Sequence, residues 1–250
     1  MTILENKKEY FRILDMKAIE IAEELLKNQD VSIKMLNVVN VLYESSKLDF
    51  LEDSSFDAAY HNPITSDFEF YLSRIFYHIS EMRGLGWSVH LRRQKNNCAP
   101  DIRVDKDGIP LFIIEVKVKA GWMQEVFSDR RFKHDMDRFK NGADIPDPND
   151  RVGRVSKQLD KYREKLNVPI ENVYVVLASL ANVHRKKYKD SNVDTYKDTF
   201  VKNTGLPKDN LVVLTKTLDK HLGNIMSVEE IEASNDFERI IDMILRNELI

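Results

Sequence analysis

The 250-residue chain is poor in the residues that build disulfide frameworks, zinc sites and phosphate loops. Its one cysteine, Cys98, excludes an intramolecular disulfide and leads us to expect a reducing, cytoplasmic location. The six histidines include no His-x-x-x-His pair, so the sequence offers no common zinc motif. Only eight glycines are present, and Gly84 and Gly86 predict a turn between a helix and a strand, not a phosphate-binding loop.

Long apolar runs are also absent. No stretch approaches the roughly 18 apolar residues that a membrane-spanning helix needs, so we expect no membrane partner. The first ten residues include several charges, from which we expect no signal peptide. A chain of this length with 42% apolar residues can still bury a full core in one domain.

The most strand-like segment, 111–118, contains two charged residues. Glu115 and Lys117 are two apart and therefore point to one face of a strand, while Ile114 and Val116 point to the other. Because an unpaired charge in an interior strand is costly to desolvate, both charges need a partner, and a divalent cation is the natural candidate. A half-exposed strand with charges that serve solubility alone is the alternative.

Asp101 is predicted to join these charges through a hairpin. It begins a second short strand, which ends at Asp105, and we expect a three-residue loop over 106–108. Pairing of Asp105 with Ile109 would place Asp101 on the same face as Glu115 and diagonal to it. A loop with one residue more would turn Asp101 to the opposite face.

Two flanking helices contain further candidates. A helix predicted over 66–82 has Glu69 beside its apolar stripe, although a Ser-x-x-Glu motif at this point also fits a capping box. A second helix, predicted over 151–166, places Gln158 and Tyr162 one turn apart on one face. Such a polar pair can hold a catalytic carboxylate or a phosphate. The alternative is a partly buried tyrosine beside a solvated glutamine.

Positive charge is concentrated in the middle of the chain. Residues 67–203 have 26 Lys+Arg against 20 Asp+Glu, whereas 1–66 have 7 against 12 and 204–250 have 5 against 9. The excess predicts a phosphate-binding rim around the candidate site, with solvated faces as the alternative. The candidate rim residues are Lys119, Arg130, Arg131, Lys133, Arg151, Arg154, Lys157, Lys161, Tyr162, Arg185, Lys186 and Lys187.

The periodicities predict an α/β fold with a central mixed β-sheet flanked by helices, plus an N-terminal helical hairpin. The hairpin helices span 6–27 and 31–46, with Asp30 as an N-cap, and belong to a helical subdomain of residues 1–60. The main domain, 61–250, has an insertion at about 120–150 with a helix from about 126 to 140. Its strands are predicted over 86–93, 101–105, 109–118, 172–178 and 210–215, followed by a closing helix over 235–247.

Asp101, Glu115 and Lys117, in a hairpin that follows a glutamate-bearing helix, resemble the active site of the PD-(D/E)xK nuclease superfamily, which includes type II restriction endonucleases. Pro100 before the aspartate and the Glu-Val-Lys spelling fit that motif. Gln158-x-x-x-Tyr162 is similar to the accessory motif of the RecB-type branch. The single cysteine argues against the iron–sulfur exonucleases of that branch. The resemblance covers about residues 66–180.

The resemblance implies a restriction-endonuclease-like core and magnesium-dependent hydrolysis of double-stranded DNA, with 5′-phosphate and 3′-hydroxyl ends. Asp101, Glu115 and the carbonyl of Val116 would hold Mg²⁺, for which Mn²⁺ substitutes. Lys117 would orient or deprotonate the nucleophile, and Glu69 and Gln158 complete the expected catalytic set. The expected biology is type II restriction by a homodimer. The alternatives are a nuclease subunit of another DNA-processing or phage-defence system and a non-catalytic DNA-binding protein of this fold.

Overall fold

The computed structural model describes residues 3–45, 64–118, 148–181, 192–218, 220, 222 and 228–248. Its α-helices in these ranges are α1 (Ile3–Leu26), α2 (Ser32–Ser45), α3 (Ile64–Arg83), α4 (Pro148–Leu166), α5 (Val193–Thr204) and α6 (Asp236–Glu248). Its strands are β1 (Trp87–Leu91), β2 (Ile102–Lys106), β3 (Ile109–Lys117), β4 (Val173–Leu177) and β5 (Leu211–Val213).

The strands form one mixed sheet in the order β1-β2-β3-β4-β5. The first three are antiparallel neighbours, whereas β4 runs parallel to β3 and β5 runs parallel to β4. Parallel neighbours need long crossover connections, and α4 and α5 lie in those two connections. The predicted α/β class, the mixed sheet and the flanking helices are therefore confirmed.

Apolar layers cover both faces of the sheet. Ile114 and Val116 of β3 face a cluster formed with α1, α2, α3 and α6. Ile113 of β3 and Val175 of β4 face a second cluster formed with α4 and α5. Because side chains alternate along a strand, Glu115 points toward the α4 side, opposite to Val116, as predicted. The two N-terminal helices contribute to the same core cluster as the sheet.

Local differences from the predicted elements are small, with one exception. Helix α5 is not predicted by the sequence patterns. Asp30 caps the start of α2, because its Oδ1 accepts hydrogen bonds from the backbone N–H of Ser32 at 2.9 Å and from Ser32 Oγ at 2.6 Å. Most of the predicted insertion at about 120–150, including its helix from about 126 to 140, lies outside the described residues. Among the described helices, none combines the length and apolar character of a membrane span.

Candidate active site

The loop of the β2–β3 hairpin is shorter than predicted. Asp107 and Gly108 form a two-residue loop, in which φ is 52° and 78°, and Lys106 pairs with Ile109. Two-residue loops of type I′ need positive φ at both positions, which aspartate tolerates and glycine favours. The predicted three-residue loop and its register are therefore wrong. With regular pairing, this shorter loop would turn Asp101 to the opposite face.

A β-bulge returns Asp101 to the predicted face. The pairing of β2 with β3 shifts by one residue between Val104 and Asp105, which leaves an extra residue on β3. Side chains alternate with a period of two, so this residue restores Asp101 to the side of Glu115. The backbone N–H of Val116 then donates a hydrogen bond to Asp101 Oδ2 at 2.8 Å. The loop and the bulge together bring the two carboxylates to one place.

Lys117 Nζ contacts one oxygen of each residue predicted as a metal ligand. It lies 2.6 Å from Glu115 Oε1, 3.1 Å from Asp101 Oδ2 and 3.1 Å from the carbonyl oxygen of Val116. Burial disfavours the charged ammonium, but the charges of Glu115 and Asp101 outweigh burial and raise the pKa of Lys117 above its ordinary value. Three oxygens therefore converge on one cationic group at the end of β3.

Glu115 is the most buried member of this trio, with 6% of its side chain exposed. Its Oε1 accepts hydrogen bonds from Lys117 and Gln158, whereas its buried Oε2 has no hydrogen-bond partner among the described residues. Burial and the neighbouring charge of Asp101 raise the pKa of Glu115 above its ordinary value. A buried acceptor without a partner costs free energy, so this oxygen is suited to a ligand.

Gln158 and Tyr162 lie on the face of α4 that is turned to the carboxylates, as predicted. Gln158 Nε2 donates to Glu115 Oε1 at 3.2 Å and to the Tyr162 hydroxyl at 2.7 Å. The hydroxyl in turn donates to the carbonyl oxygen of Ala99 at 3.3 Å. Burial and the charge of Glu115 raise the pKa of Tyr162 to about 12, which keeps the phenol protonated. The pair links α4 to β3 and to the segment that precedes β2.

Glu69 lies on α3 beside the site, in an ion pair. Helix α3 begins at Ile64, two residues before Ser66, and both carboxylate oxygens of Glu69 accept hydrogen bonds from Arg92. The capping-box alternative for Glu69 is therefore wrong. Arg92 was not among the residues that the sequence predicts for the site. No local sequence pattern marks Arg92, and only the structure places it directly after β1, beside Asp101.

The predicted basic rim is described only in part. Lys157 and Lys161 are exposed on α4, one turn apart, on the helix that also presents Gln158 and Tyr162. Arg151 and Arg154 lie in the first turns of α4, and only their backbone is described. The remaining candidates lie outside the described residues: Lys119, Arg130, Arg131, Lys133, Arg185, Lys186 and Lys187.

A second polar cluster, absent from the sequence predictions, joins one face of β1 and β2 to the segment 92–98. Asp105 Oδ1 accepts from Arg103 Nε at 2.8 Å, and Asp105 Oδ2 lies 3.2 Å from Lys95 Nζ and 3.3 Å from His90 Nε2. Arg103 Nη1 also donates to the carbonyl oxygen of Arg93 at 3.1 Å. Arg103 and Asp105 are both buried, so the cluster fixes the segment 92–98 against the sheet.

The donor atoms of the site fit a hard cation. Mg²⁺ binds one or two protein carboxylates and keeps several waters. Asp101 and Glu115 supply two carboxylates, and Oε2 of Glu115 has no hydrogen-bond partner among the described residues. Within the part of the chain that the structure describes, no three Asp, Glu, His or Cys side chains group closely enough to enclose a metal ion.

Comparisons of the chain with protein-family models, curated proteins and solved structures find no match.

Proposed function

We propose that the protein is a Mg²⁺-dependent endodeoxyribonuclease that hydrolyses phosphodiester bonds of double-stranded DNA. The proposal includes a restriction-endonuclease-like core and a role in type II restriction. The observation that supports it most strongly is the convergence of Asp101 Oδ2, Glu115 Oε1 and the Val116 carbonyl oxygen on one cationic group. Hard cations prefer oxygen ligands of this kind.

Asp101, Glu115 and the carbonyl of Val116 would hold Mg²⁺, with Mn²⁺ as a substitute. A bound ion of this type supplies a water of lowered pKa and offsets charge on the phosphate. Lys117 is an ammonium that donates hydrogen bonds in the site, so its proposed role is to orient the nucleophile and to offset negative charge. To deprotonate water, Lys117 would first have to lose its own proton, which the negative charges of Glu115 and Asp101 disfavour.

Helix α4 supports the proposed site in two ways. Gln158 fixes the position of Glu115, and Tyr162 fixes the position of Gln158, so both are proposed as positioning residues. The exposed Lys157 and Lys161 supply positive charge on the same helix, where phosphates of DNA would be neutralised.

A second candidate function is a non-catalytic DNA-binding protein of the same fold. The contacts of Lys117 with both carboxylates support it, because a permanent ammonium can neutralise buried carboxylates without a metal. Titration of the protein with Mn²⁺ in a calorimeter separates the two candidates. A nuclease binds the ion at a site that Asp101→Asn removes, whereas a non-catalytic protein shows no such binding.

The nuclease activity itself is tested with plasmid DNA. Purified protein is incubated with a mixture of supercoiled plasmids in Mg²⁺ or in chelator, and the product ends are mapped. We expect discrete linear fragments with 5′-phosphate ends in Mg²⁺ and intact plasmid in chelator. Random degradation would favour a nuclease of another DNA-processing system over restriction. Intact plasmid in both samples, together with DNA binding, would favour the non-catalytic candidate.

We also propose that the protein acts as a homodimer, since cleavage of both strands needs two sites of opposite polarity. Exposed apolar side chains on α1 and α2 support the N-terminal helices as the subunit contact: Ile13, Met16, Ile33 and Val41. Sedimentation with and without DNA tests this proposal. A dimer is expected, and a strict monomer that only nicks one strand would contradict it.

A further inference from the structure

Arg92 occupies the position next to Asp101 at the end of the sheet. Its backbone N–H donates to the carbonyl oxygen of Asp101 at 2.9 Å, one residue beyond the last pair of β1 and β2, Leu91 with Ile102. Its φ is 47°, a left-handed conformation that non-glycine residues rarely adopt. The strand thus ends with a sharp change of direction at Arg92. Neighbouring strands are about 4.8 Å apart, so the backbones of Arg92 and Asp101 are separated by about this distance.

The guanidinium of Arg92 is held by a buried carboxylate. Glu69 is 1% exposed, and its Oε1 accepts from Arg92 Nη2 at 2.7 Å while its Oε2 accepts from Arg92 Nε. A bidentate arrangement of this kind fixes the plane of the guanidinium as well as its position. Glu69 therefore determines where the rest of the Arg92 side chain points.

The outer edge of the same guanidinium is available to a ligand. Half of the Arg92 side chain, 51%, is exposed, and in the described part of the chain Nη1 has no hydrogen-bond partner. Its charge also interacts with the charges of Asp101 and Glu115, which places it within electrostatic range of the reacting centre. A fixed guanidinium with a free nitrogen beside a carboxylate site suits a phosphate oxygen.

We propose that Arg92 contacts a phosphate of the DNA strand next to the phosphate that is cleaved, through Nη1, and that Glu69 is its positioning residue. This inference rests on the proposed nuclease function. It gives Glu69 a role that differs from the metal-site role which the sequence suggests, because both of its carboxylate oxygens are occupied by Arg92. A metal ion at Glu69 would compete with Arg92 for the same two oxygens.

Binding of a duplex in Ca²⁺, measured by fluorescence anisotropy over a range of salt concentrations, tests the proposal without turnover. Arg92→Ala is expected to weaken binding about tenfold and to reduce the salt slope by about one. Arg92→Lys should recover part of the affinity, since it keeps the charge but loses the bidentate contact. The matched control is Arg93→Ala, an exposed arginine one residue away, for which we expect a change of less than about twofold.

Glu69→Gln distinguishes the two roles of Glu69. If Glu69 orients Arg92, Glu69→Gln weakens DNA binding in the wild-type background but adds little to Arg92→Ala, while Mn²⁺ affinity without DNA stays unchanged. A loss of Mn²⁺ affinity would instead identify Glu69 as a metal ligand and overturn the positioning role. Thermal melting of each variant identifies any loss of folding, and the double variant Glu69→Gln/Arg92→Ala removes the buried charge together with its partner.

Failure of the Arg92 inference and failure of the proposed function give different results. If the wild-type protein cleaves plasmid and Arg92→Ala binds DNA with wild-type affinity and salt slope, only the Arg92 inference is wrong. If the wild-type protein neither binds nor cleaves DNA, the proposed function is wrong and the Arg92 inference falls with it.

Discussion

Gln158 Nε2 donates a hydrogen bond to Glu115 Oε1 at 3.2 Å, although 43 residues separate the two in the sequence. The same amide donates to the Tyr162 hydroxyl at 2.7 Å, so α4 and β3 are joined through one side chain. Glu115 is buried beside Lys117, and its position depends on both partners. This relationship connects the helix to the proposed metal site.

The first prediction concerns this connection. Gln158→Ala should lower the cleavage rate by about 10- to 100-fold, the usual effect of removing a residue that supports a metal ligand. Tyr162→Phe should have a smaller effect of the same kind, because it leaves the Gln158 amide without its hydroxyl partner. Rates measured for both single variants and the double variant should be non-additive. Glu164→Gln, exposed on the same helix, is the control. Unchanged cleavage by Gln158→Ala would contradict this role and would show that Gln158 and Tyr162 only stabilise the fold.

The second prediction concerns Lys117. Lys117→Ala should reduce cleavage by about 10²- to 10⁴-fold while DNA binding persists, because the lysine is proposed to act mainly in the transition state. Single-turnover cleavage and duplex binding, measured on the same preparation, separate the two effects. Asp101→Ala should lose both cleavage and Mn²⁺ affinity. Cleavage at the wild-type rate by Lys117→Ala would contradict the assigned role.

The third prediction concerns the choice of metal. Ca²⁺ should support tight DNA binding without turnover, since it accepts oxygen ligands with looser geometry than Mg²⁺. Anisotropy in Ca²⁺ measures binding, and a later addition of Mg²⁺ should start cleavage of the prebound duplex. Rapid cleavage in Ca²⁺ alone would be incompatible with the proposed site.

The fourth prediction concerns the stability of the Asp105 cluster. Burial disfavours the charged carboxylate, but the hydrogen bond and charge of Arg103 outweigh burial and hold the pKa of Asp105 below its ordinary value of 3.8. Asp105→Ala leaves the buried Arg103 without its carboxylate, and should cost about 3 kcal/mol of folding free energy at pH 7. Urea unfolding of the wild type and the variant measures this difference.

The same cluster gives the pH dependence a definite sign. The unfolded chain binds a proton at Asp105 at higher pH than the folded chain, so the stabilisation is present above pH 3.8 and is lost as the pH falls through the lower folded pKa. The difference between wild type and Asp105→Ala should therefore shrink below about pH 4. Asp160→Asn, on an exposed ion pair with Arg163, is the control with a small effect. A difference that stays constant down to pH 2 would contradict this sign.

The site could be predicted from the sequence because it depends on alternation along strands and on helix periodicity. Glu115 and Lys117 share a face whatever the neighbouring strand does, and Gln158 and Tyr162 share one on any helix. The side of Asp101 was predicted correctly for a wrong reason. The observed loop is one residue shorter than predicted, and the bulge adds one residue to β3. Together they shift the register by two residues, and a shift of two leaves Asp101 on the predicted face.

Other features depend on tertiary contacts that no local pattern shows. Arg92 reaches Glu69 across 23 residues, and its left-handed backbone has no marker such as glycine. Helix α5 was missed because its buried face includes Lys197, whose ammonium pairs with the buried Asp236. The available signals were at its ends: a capping box of Asn192 with Thr195, and Gly205 with φ 72°.

The central claim is that Asp101, Glu115 and Val116 form a catalytic metal site. It is tested most directly by the initial rate of plasmid linearisation as a function of Mg²⁺ concentration, for the wild type and for Glu115→Gln at equal folded concentration. The site predicts a rate that saturates with Mg²⁺ in the wild type. It predicts a loss of about 10³-fold or more in the variant, whose neutral amide lacks the negative charge of the carboxylate ligand. Cleavage that is independent of Mg²⁺, or undiminished in Glu115→Gln, would contradict the claim.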